Sequence, residues 1–451
     1  MGQIITSVRV AGNRVTIGGL PPGPRLPVSV QTAAWIASPW RFMERSAARY
    51  GDTFTLRLAG EGTWVMVSHP DAVKQVFTGP PELLQAGEAN RILLPVVGAN
   101  SVLLLDGNAH REQRQLLVPP FRGTHLRSYA DTMTAIAETE IARWPRGEPV
   151  QVHPRIQALT LEVILRAVFG LSDGAHHPLR AELVRMLTTT VGTPGRLLLL
   201  VLSPQRIRSA LTRKLLSGVD RLLYAEIGDR RRADDLDERT DVLSVLLRAR
   251  NADGQPLSDV EIRDELMTLL LAGHESTATA LASAVEWVVR HPDVQSRLIE
   301  EIQAGRHEFI DAVVKETLRL RPVFSLVARR LKAPMEIGGA PLPAGVTVVP
   351  SIYLMHRRPE IYPDPQRFRP ERFLEEHGGM YAWIPYGGGV RRCLGATFAQ
   401  GEMRAVLAAL FGGYRVRPVD ENAERDRGAT VALGLRPVPV PRRLQLWIEP
   451  R

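Results

Sequence analysis

Apolar residues return every three or four positions from about residue 108 to 320, the spacing that lays one stripe along a helix. "LRSYADTMTAIAETEIARW", "TLEVILRAVFG" and "LTRKLLSGVDRLLYAEIGDRRR" all carry it. Ahead of that stretch the period shortens to two. "DTFTLRL" and "TWVMVSH", hinged around Gly60 and Gly62, read as a β-hairpin. Further strand signals fall near 335–349 and 429–448, and "PPGPRLP" (21–27) is a stiff, extended lead-in. No internal repeat or low-complexity linker interrupts the pattern. The expected fold is mainly α with a small β part, residues 1–20 forming an N-terminal extension and 21–451 a single domain.

The longest helical signal is "SDVEIRDELMTLLLAGHESTATALASAVEWVVRH", from 258 to about 290. Ser258 and Glu261 have the spacing of a capping box, and Pro292 lies just beyond the end. The centre breaks the helix rules. Gly273, Ser276, Thr277 and Thr279 replace better helix formers, and a mid-helix glycine costs about 1 kcal/mol relative to alanine. Two readings stand open: a bend, water or bound group pressed against the helix, or close packing on a neighbour.

The chain has 451 residues, 44% hydrophobic and 23% charged, as an ordinary globular protein does. Its one cysteine excludes an intrachain disulfide, a structural zinc–thiolate site and a Cys₄ iron–sulfur cluster, and points to a reducing compartment. The formal charge of +9 comes from arginines dispersed along the chain. With 6% aromatics and no nucleic-acid motif, an acidic protein partner fits that charge better than nucleic acid does. The start, "MGQIITSVRVAGNRVTIGGL", lacks a signal-peptide core, and "LLLLVL" at 197–202 is too short to cross a bilayer. The expected location is cytoplasmic.

"HES" at 274–276 has Ala278 where a zinc-protease helix needs its second histidine, and "GGG" at 387–389 lacks the lysine of a phosphate loop. Both readings fail. Glu-x-x-Arg starts at Glu88, Glu140, Glu182, Glu316 and Glu424, and most copies read as solvated pairs. The Glu316–Arg319 copy differs in its setting, an apolar helix followed by strands and "YPDPQRFRPERF" (362–373), whose Arg372 offers a second guanidinium. Cys393 lies in "WIPYGGGVRRCLGATFA" (383–399). The glycines allow a tight turn, Arg391 and Arg392 favour thiolate over thiol, and a helix start follows. A buried structural thiol, a nucleophile and a metal ligand are the alternatives. A nucleophile wants a histidine base, and neither His356 nor His377 has a recognisable context, so ligation of iron is the better fit.

Taken together, these residues resemble the cytochrome P450 superfamily, the haem-thiolate monooxygenases. Its signature, aromatic–x–x–Gly–x–basic–x–Cys–x–Gly, is met by Tyr386, Gly389, Arg391, Cys393 and Gly395. Tyr386 departs from the usual phenylalanine; its ring is expected beside the sulfur and its hydroxyl needs a partner. "ETLR" (316–319) matches the family's Glu-x-x-Arg helix, with Arg372 completing an ion-pair triad with Glu316 and Arg319. "AGHEST" (272–277) matches the oxygen-binding groove that begins at Ala272. "GNAHREQR" (107–114) resembles the helix whose His110 and Arg114 reach haem propionates, and "ARRL" (328–331) offers Arg329 for the other propionate, with Arg330 as the alternative. The resemblance runs from about residue 20 to the end and looks most like soluble actinobacterial members.

The resemblance implies the cytochrome P450 fold, a triangular helical prism with small β-sheets and a long central helix over haem b. Cys393 becomes the iron ligand, with Gly387 among the loop's cofactor contacts. Glu275, Ser276 and Thr277 become the catalytic acid and alcohol groups, Ser276 standing where relatives usually have threonine. Serine lacks the methyl that restricts χ1, so peroxide escape is an expected consequence. Electrons are expected from a separate ferredoxin or flavodoxin with its NAD(P)H reductase, drawn to Arg111, Arg114, Arg391 and Arg392. The pocket segments 82–100, 188–202, 268–277, 323–327 and 430–434 are mostly apolar, which implies a hydrophobic substrate such as a fatty acid, sterol, terpenoid or polyketide. Arg91 and Arg196 are carboxylate anchors or plain surface arginines. The competing functions are a haem-thiolate isomerase or peroxide-using enzyme, and a haem ligand-binding protein without turnover.

Overall fold

The computed structural model describes residues 7–10, 13–16, 19–171, 178–191, 205–375, 379, 381–420, 429–432, 436–439 and 444–451. Strands β1 (Ser7–Val10) and β2 (Asn13–Thr16) precede helices α1 (Val28–Ala37) and α2 (Pro39–Tyr50), strands β3 (Thr53–Leu58) and β4 (Gly62–Val67), helix α3 (Pro70–Thr78) and strand β5 (Leu84–Gln85). Helices α4 (Ala86–Ala89), α5 (Leu94–Val97), α6 (Gly107–Leu117) and α7 (Gly123–Ala142) lead to β6 (Val150–Gln151) and α8 (Val152–Phe169). Next come α9 (Pro178–Val191), α10 (Gln205–Arg231), α11 (Val242–Arg248), α12 (Asp259–Val289), α13 (Pro292–Gln303) and α14 (Glu308–Leu320). Strands β7 (Arg329–Leu331), β8 (Met335–Ile337), β9 (Ala340–Leu342) and β10 (Thr347–Pro350) precede α15 (Ile352–Met355) and α16 (Ala396–Gly413). The chain ends with β11 (Tyr414–Pro418), β12 (Ala429–Ala432), β13 (Arg436–Pro439) and β14 (Gln445–Pro450).

The chain forms two compact units. The first draws on residues 1–91, 315–393 and 427–440. Its five-stranded sheet has the order β3-β4-β10-β7-β5, and the predicted hairpin is its β3–β4 pair. Alternation along β4 sends Trp64 and Met66 into one apolar cluster, with Trp35 and Phe54, and Val65 and Val67 into another, with Val73 and Phe77. The proline-rich lead-in is strapped to β3, Thr55 N–H donating to Pro22 O at 3.0 Å and its hydroxyl to Pro21 O at 2.7 Å.

The second unit draws on residues 92–314, 394–426 and 441–451 and is built around α12. The predicted capping box is present: Ser258 Oγ accepts from Glu261 N–H, and the Glu261 carboxylate accepts from Ser258 N–H at 2.8 Å. The helix runs unbroken for 31 residues through its weak centre. Ser276 and Thr277 turn their hydroxyls back onto the carbonyls of Ala272 and Gly273, which keeps them satisfied inside the helix. A Cβ on Gly273 would stand 2.8 Å from Ile164 Cδ1, so the glycine lets α8 close against α12. That contact supports the close-packing reading of Gly273.

One buried carboxyl in this unit has a consequence for stability. Glu265 is fully buried, accepts from Val102 N–H at 2.7 Å, and is pushed up to about 8 by burial, which outweighs that bond and the nearby Gln113. The unfolded carboxyl titrates near 4.5. The penalty of ionising Glu265 is thus absent below pH 4.5 and grows until the folded group also loses its proton. Glu265→Gln keeps the acceptor and cannot ionise. It is expected to add about 3 kcal/mol at pH 7 and almost nothing at pH 4–5, as urea denaturation at the two pH values will show. A gain independent of pH would mean that Glu265 is ionised in the folded protein.

Candidate active site

In the first unit the loop before Cys393 turns on two glycines in the left-handed region, Gly387 at φ 68° and Gly389 at φ 64°. Gly388 and Gly389 lie hard against Phe77 of α3: Cβ atoms there would come within 2.4 Å of its ring and 1.8 Å of its carbonyl oxygen. Cys393 N–H donates to Tyr386 O at 3.0 Å and closes the loop. Ile384 N–H donates to His356 Nε2 at 2.8 Å, and burial holds that imidazole well below its usual pKa, so His356 is a neutral anchor rather than a base. Trp383 Nε1 donates to Lys315 O at 3.1 Å. On this tied-down loop the Cys393 side chain is exposed, Arg391 is half-buried and Arg392 exposed. Gly395 is the N-cap of α16.

Tyr386 packs edge-on against Trp383, the ring centres 5.9 Å apart. Its hydroxyl is buried, with no hydrogen-bond partner among the described residues. Burial first, and then the charge of Cys393, push the phenol well above its usual range.

Also in the first unit, Glu316, Arg319 and Arg372 come together with almost no exposure. Arg319 Nε and Nη2 donate to the two Glu316 oxygens at 2.7 and 2.9 Å, and Arg372 Nε donates at 3.1 Å. Arg319 Nη1 also donates to His356 O and Pro365 O, both at 2.8 Å. The Glu140–Arg143 and Glu182–Arg185 copies are partly exposed pairs, Glu88 pairs with Lys332, and Glu424 lies outside the described residues. Burial separates the Glu316 copy from the rest. Arg329 is buried on β7, while Arg330 on the opposite face of that strand lies 4.0 Å from Glu88.

In the second unit, α12 is buried along most of its length, but Ala272 is exposed and Leu271, Gly273, Glu275 and Ser276 keep part of their surface. Thr277 is buried and bonded back to the helix. Glu275 points to α8: Gln157 Nε2 donates to its Oε2 at 2.7 Å, and His153 Nε2 lies 3.7 Å from its Oε1. Neither α8 residue carries a sequence motif. His110 is buried and Arg114 half-buried, one turn apart on α6. Arg91 is an exposed surface residue of the first unit. Arg196, His377 and most of 188–202 lie outside the described residues.

Each unit carries groups whose chemistry suits a haem: in the first, one exposed thiol on a fixed loop and the buried cation Arg329; in the second, the imidazole and guanidinium of His110 and Arg114 and an accessible stretch on an otherwise buried helix. No group of three or more His, Cys, Asp or Glu side chains able to hold a bare metal ion occurs among the described residues. Residues 21–441 match the family model described as cytochrome P450. The chain belongs to the cytochrome P450 family. Over 419 residues it is 42% identical to cytochrome P450 135B1 of Mycobacterium tuberculosis, covering 91% of this chain and 88% of that one. Cytochrome P450 138 of Mycobacterium bovis is 37% identical, with 92% and 93% covered. A solved structure of cyanobacterial CYP120A1 with retinoic acid bound superposes with a TM-score of 0.81 at 26% identity, covering 96% of this chain and 99% of that one. The helix-rich fold with small sheets is that of a P450, the cofactor is haem b, and the general activity is that of a haem-thiolate monooxygenase. No helix among the described residues is long and apolar enough to cross a membrane.

Proposed function

We propose that this P450 inserts one oxygen atom of O2 into a hydrophobic substrate, with Cys393 as the thiolate that would hold the haem iron and Glu275 and Ser276 as the groups that handle protons. The observation that carries the reading is the exposure of the only thiol in the chain on a loop fixed by Phe77, His356 and the Glu316 triad. Bound haem supplies the iron at which dioxygen is activated. Arg329, His110 and Arg114 would hold its propionates, Gly387, Arg391 and Gly395 would border it, and Ala272 would give it room on α12. Ser276 can offer a hydroxyl by leaving its bond to Ala272 O. Residues 21–451 would act as one catalytic domain.

The apolar segments 82–100 and 323–327 support a hydrophobic substrate, and so does retinoic acid in the cyanobacterial relative. Exposed Arg111 and Arg392 support docking of an acidic ferredoxin or flavodoxin, fed by an NAD(P)H reductase in the cytoplasm. The reduced, carbon-monoxide-bound spectrum tests the core of this reading. The wild type is expected to give the thiolate-type carbonyl band and, with ferredoxin, reductase and a panel of hydrophobic acids and terpenoids, to couple NAD(P)H use to product. Glu275→Gln is expected to keep the band and lose at least about tenfold in product per NAD(P)H, with peroxide rising. Absence of the thiolate band in the wild type would overturn the reading, and turnover with added peroxide alone would favour the peroxide-using alternative.

A further inference from the structure

Two groups of α8 meet the Glu275 carboxylate. His153 and Gln157 are one turn apart on α8, and they take the two oxygens of the same carboxylate, at 3.7 and 2.7 Å. Gln157 is an amide that cannot titrate. It clamps Oε2 and leaves Oε1 to the imidazole. His153 is only 7% exposed, and its Nε2 needs only a small torsion in the half-exposed Glu275 to reach hydrogen-bond length.

Charged and titratable groups on the elements around α8 have partners of their own. His274, next to Glu275 on α12, is buried with its Nδ1 2.9 Å from Thr160 Oγ1. Burial first, then His153 and Arg180, push it down to about 4, so it stays neutral at physiological pH. Arg180 of α9 is bound to Glu162 at 3.0 Å. Tyr129 of α7 and Asp241, the N-cap of α11, meet the far end of α8, at Ala167 and Gly170. At the near end Gln151 pairs with the uncharged Gln445 of β14. Glu275 Oε1 is a carboxylate oxygen that faces His153 Nε2, at 3.7 Å.

We propose that His153 is the proton donor that recharges Glu275 during turnover, with Gln157 as a positioning residue. This rests on the reading of Glu275 as the catalytic acid. The His153 imidazolium gives its Nε2 proton to Glu275 Oε1, leaving a neutral imidazole and a carboxylic acid. Glu275 passes that proton on toward Ser276 and returns to carboxylate, and the His153 imidazole is recharged by a proton (H+) from bulk solvent through the 7% of its surface that stays exposed. Histidine suits the step because its charge changes close to working pH.

The test uses the holoenzyme. In the reduced, carbon-monoxide-bound and therefore diamagnetic state, the His153 ring is titrated by NMR. Its pKa is expected to lie above about 6.5 and to fall by about one unit in Glu275→Gln. Product per NAD(P)H in the wild type is expected to decline through that pKa to an alkaline plateau. His153→Gln is expected to sit on the plateau at every pH, about tenfold below the wild type at pH 6, with a larger solvent isotope effect. Its carbonyl band, substrate-induced spectral shift and Tm are expected to match the wild type, which a merely structural His153 would not allow. A His153 pKa unmoved by Glu275→Gln, or a wild-type pH profile in His153→Gln, overturns the proposal. If Glu275→Gln alone keeps full yield, the reading of Glu275 fails as well; a poor yield there with a normal His153→Gln overturns only the role of His153.

Discussion

Glu316→Gln is expected to destabilise the protein by about 3–5 kcal/mol, the usual result of leaving buried charge uncompensated. The carboxylate accepts from Arg319 at two positions, from Arg372, and from Arg369 N–H at 2.9 Å. Both guanidiniums are within 1% of complete burial, so neither can turn to water when the negative charge is removed. The amide keeps one acceptor and adds two donors facing cations. The damage also has a route to the cysteine loop. Arg319 holds His356 O, and His356 Nε2 accepts from Ile384 N–H at the start of that loop. Haem retention on mild heating is therefore expected to fall together with the unfolding free energy. The comparison variant is Glu140→Gln, which breaks an i,i+3 pair whose arginine is 62% exposed and is expected to cost less than about 0.5 kcal/mol. Thermal and urea unfolding of the two variants, with the carbon-monoxide band followed in parallel, measures the contrast. A Glu316→Gln protein within about 1 kcal/mol of wild type would mean that the triad's arginines find other partners.

What could be read from the chain, and what could not, follows from whether a residue's reason is local. The ends of α12 were legible because caps are local: Ser258, Glu261 and Pro292 act within a turn of their own positions. The β3–β4 hairpin was legible from its alternation. The cysteine loop was legible because its spacing is a signature, yet the spacing leaves out why Gly389 is glycine. The backbone of Phe77, more than 300 residues earlier, would meet any Cβ there. Gly273 read equally as a place for a bend, water or bound group and as a packing site, and the Ile164 side chain that stands beside it, more than 100 positions away, could not be read from the spacing. Five Glu-x-x-Arg spacings look alike as letters; the apolar setting singled out the Glu316 copy, and burial separates it from the rest. The orientation of Glu275 was the least legible feature. It depends on His153 and Gln157, more than 100 positions away, which carry no motif. Tyr386 is the reverse case: the departure from phenylalanine was visible, but the spacing names no partner for its hydroxyl, and none occurs among the described residues.

Cys393→Ser is expected to do the opposite of Glu316→Gln, removing the chemistry while sparing the fold. The side chain is exposed, so its loss leaves no cavity, and the loop is held through backbone: Cys393 N–H to Tyr386 O, and the glycines against Phe77. Unfolding of the apoprotein is expected to change by less than about 0.5 kcal/mol, as for a surface substitution. The reduced carbonyl band of thiolate type should vanish, and Cys393→His should replace it with the band of a neutral nitrogen ligand. Monooxygenase turnover should fall at least about a hundredfold in both, since the thiolate proposed to push electron density onto iron would be gone. Tyr386 supplies a readout that needs no activity. Burial is the larger cause of its raised pKa and stays in place, while the contribution from the Cys393 charge disappears. Ultraviolet titration of tyrosinate should therefore find Tyr386 easier to ionise in the Cys393→Ser apoprotein, though still above its usual range. A thiolate band surviving in Cys393→Ser would assign the iron ligand elsewhere. Since the chain has no second cysteine, that sulfur would have to come from outside the protein.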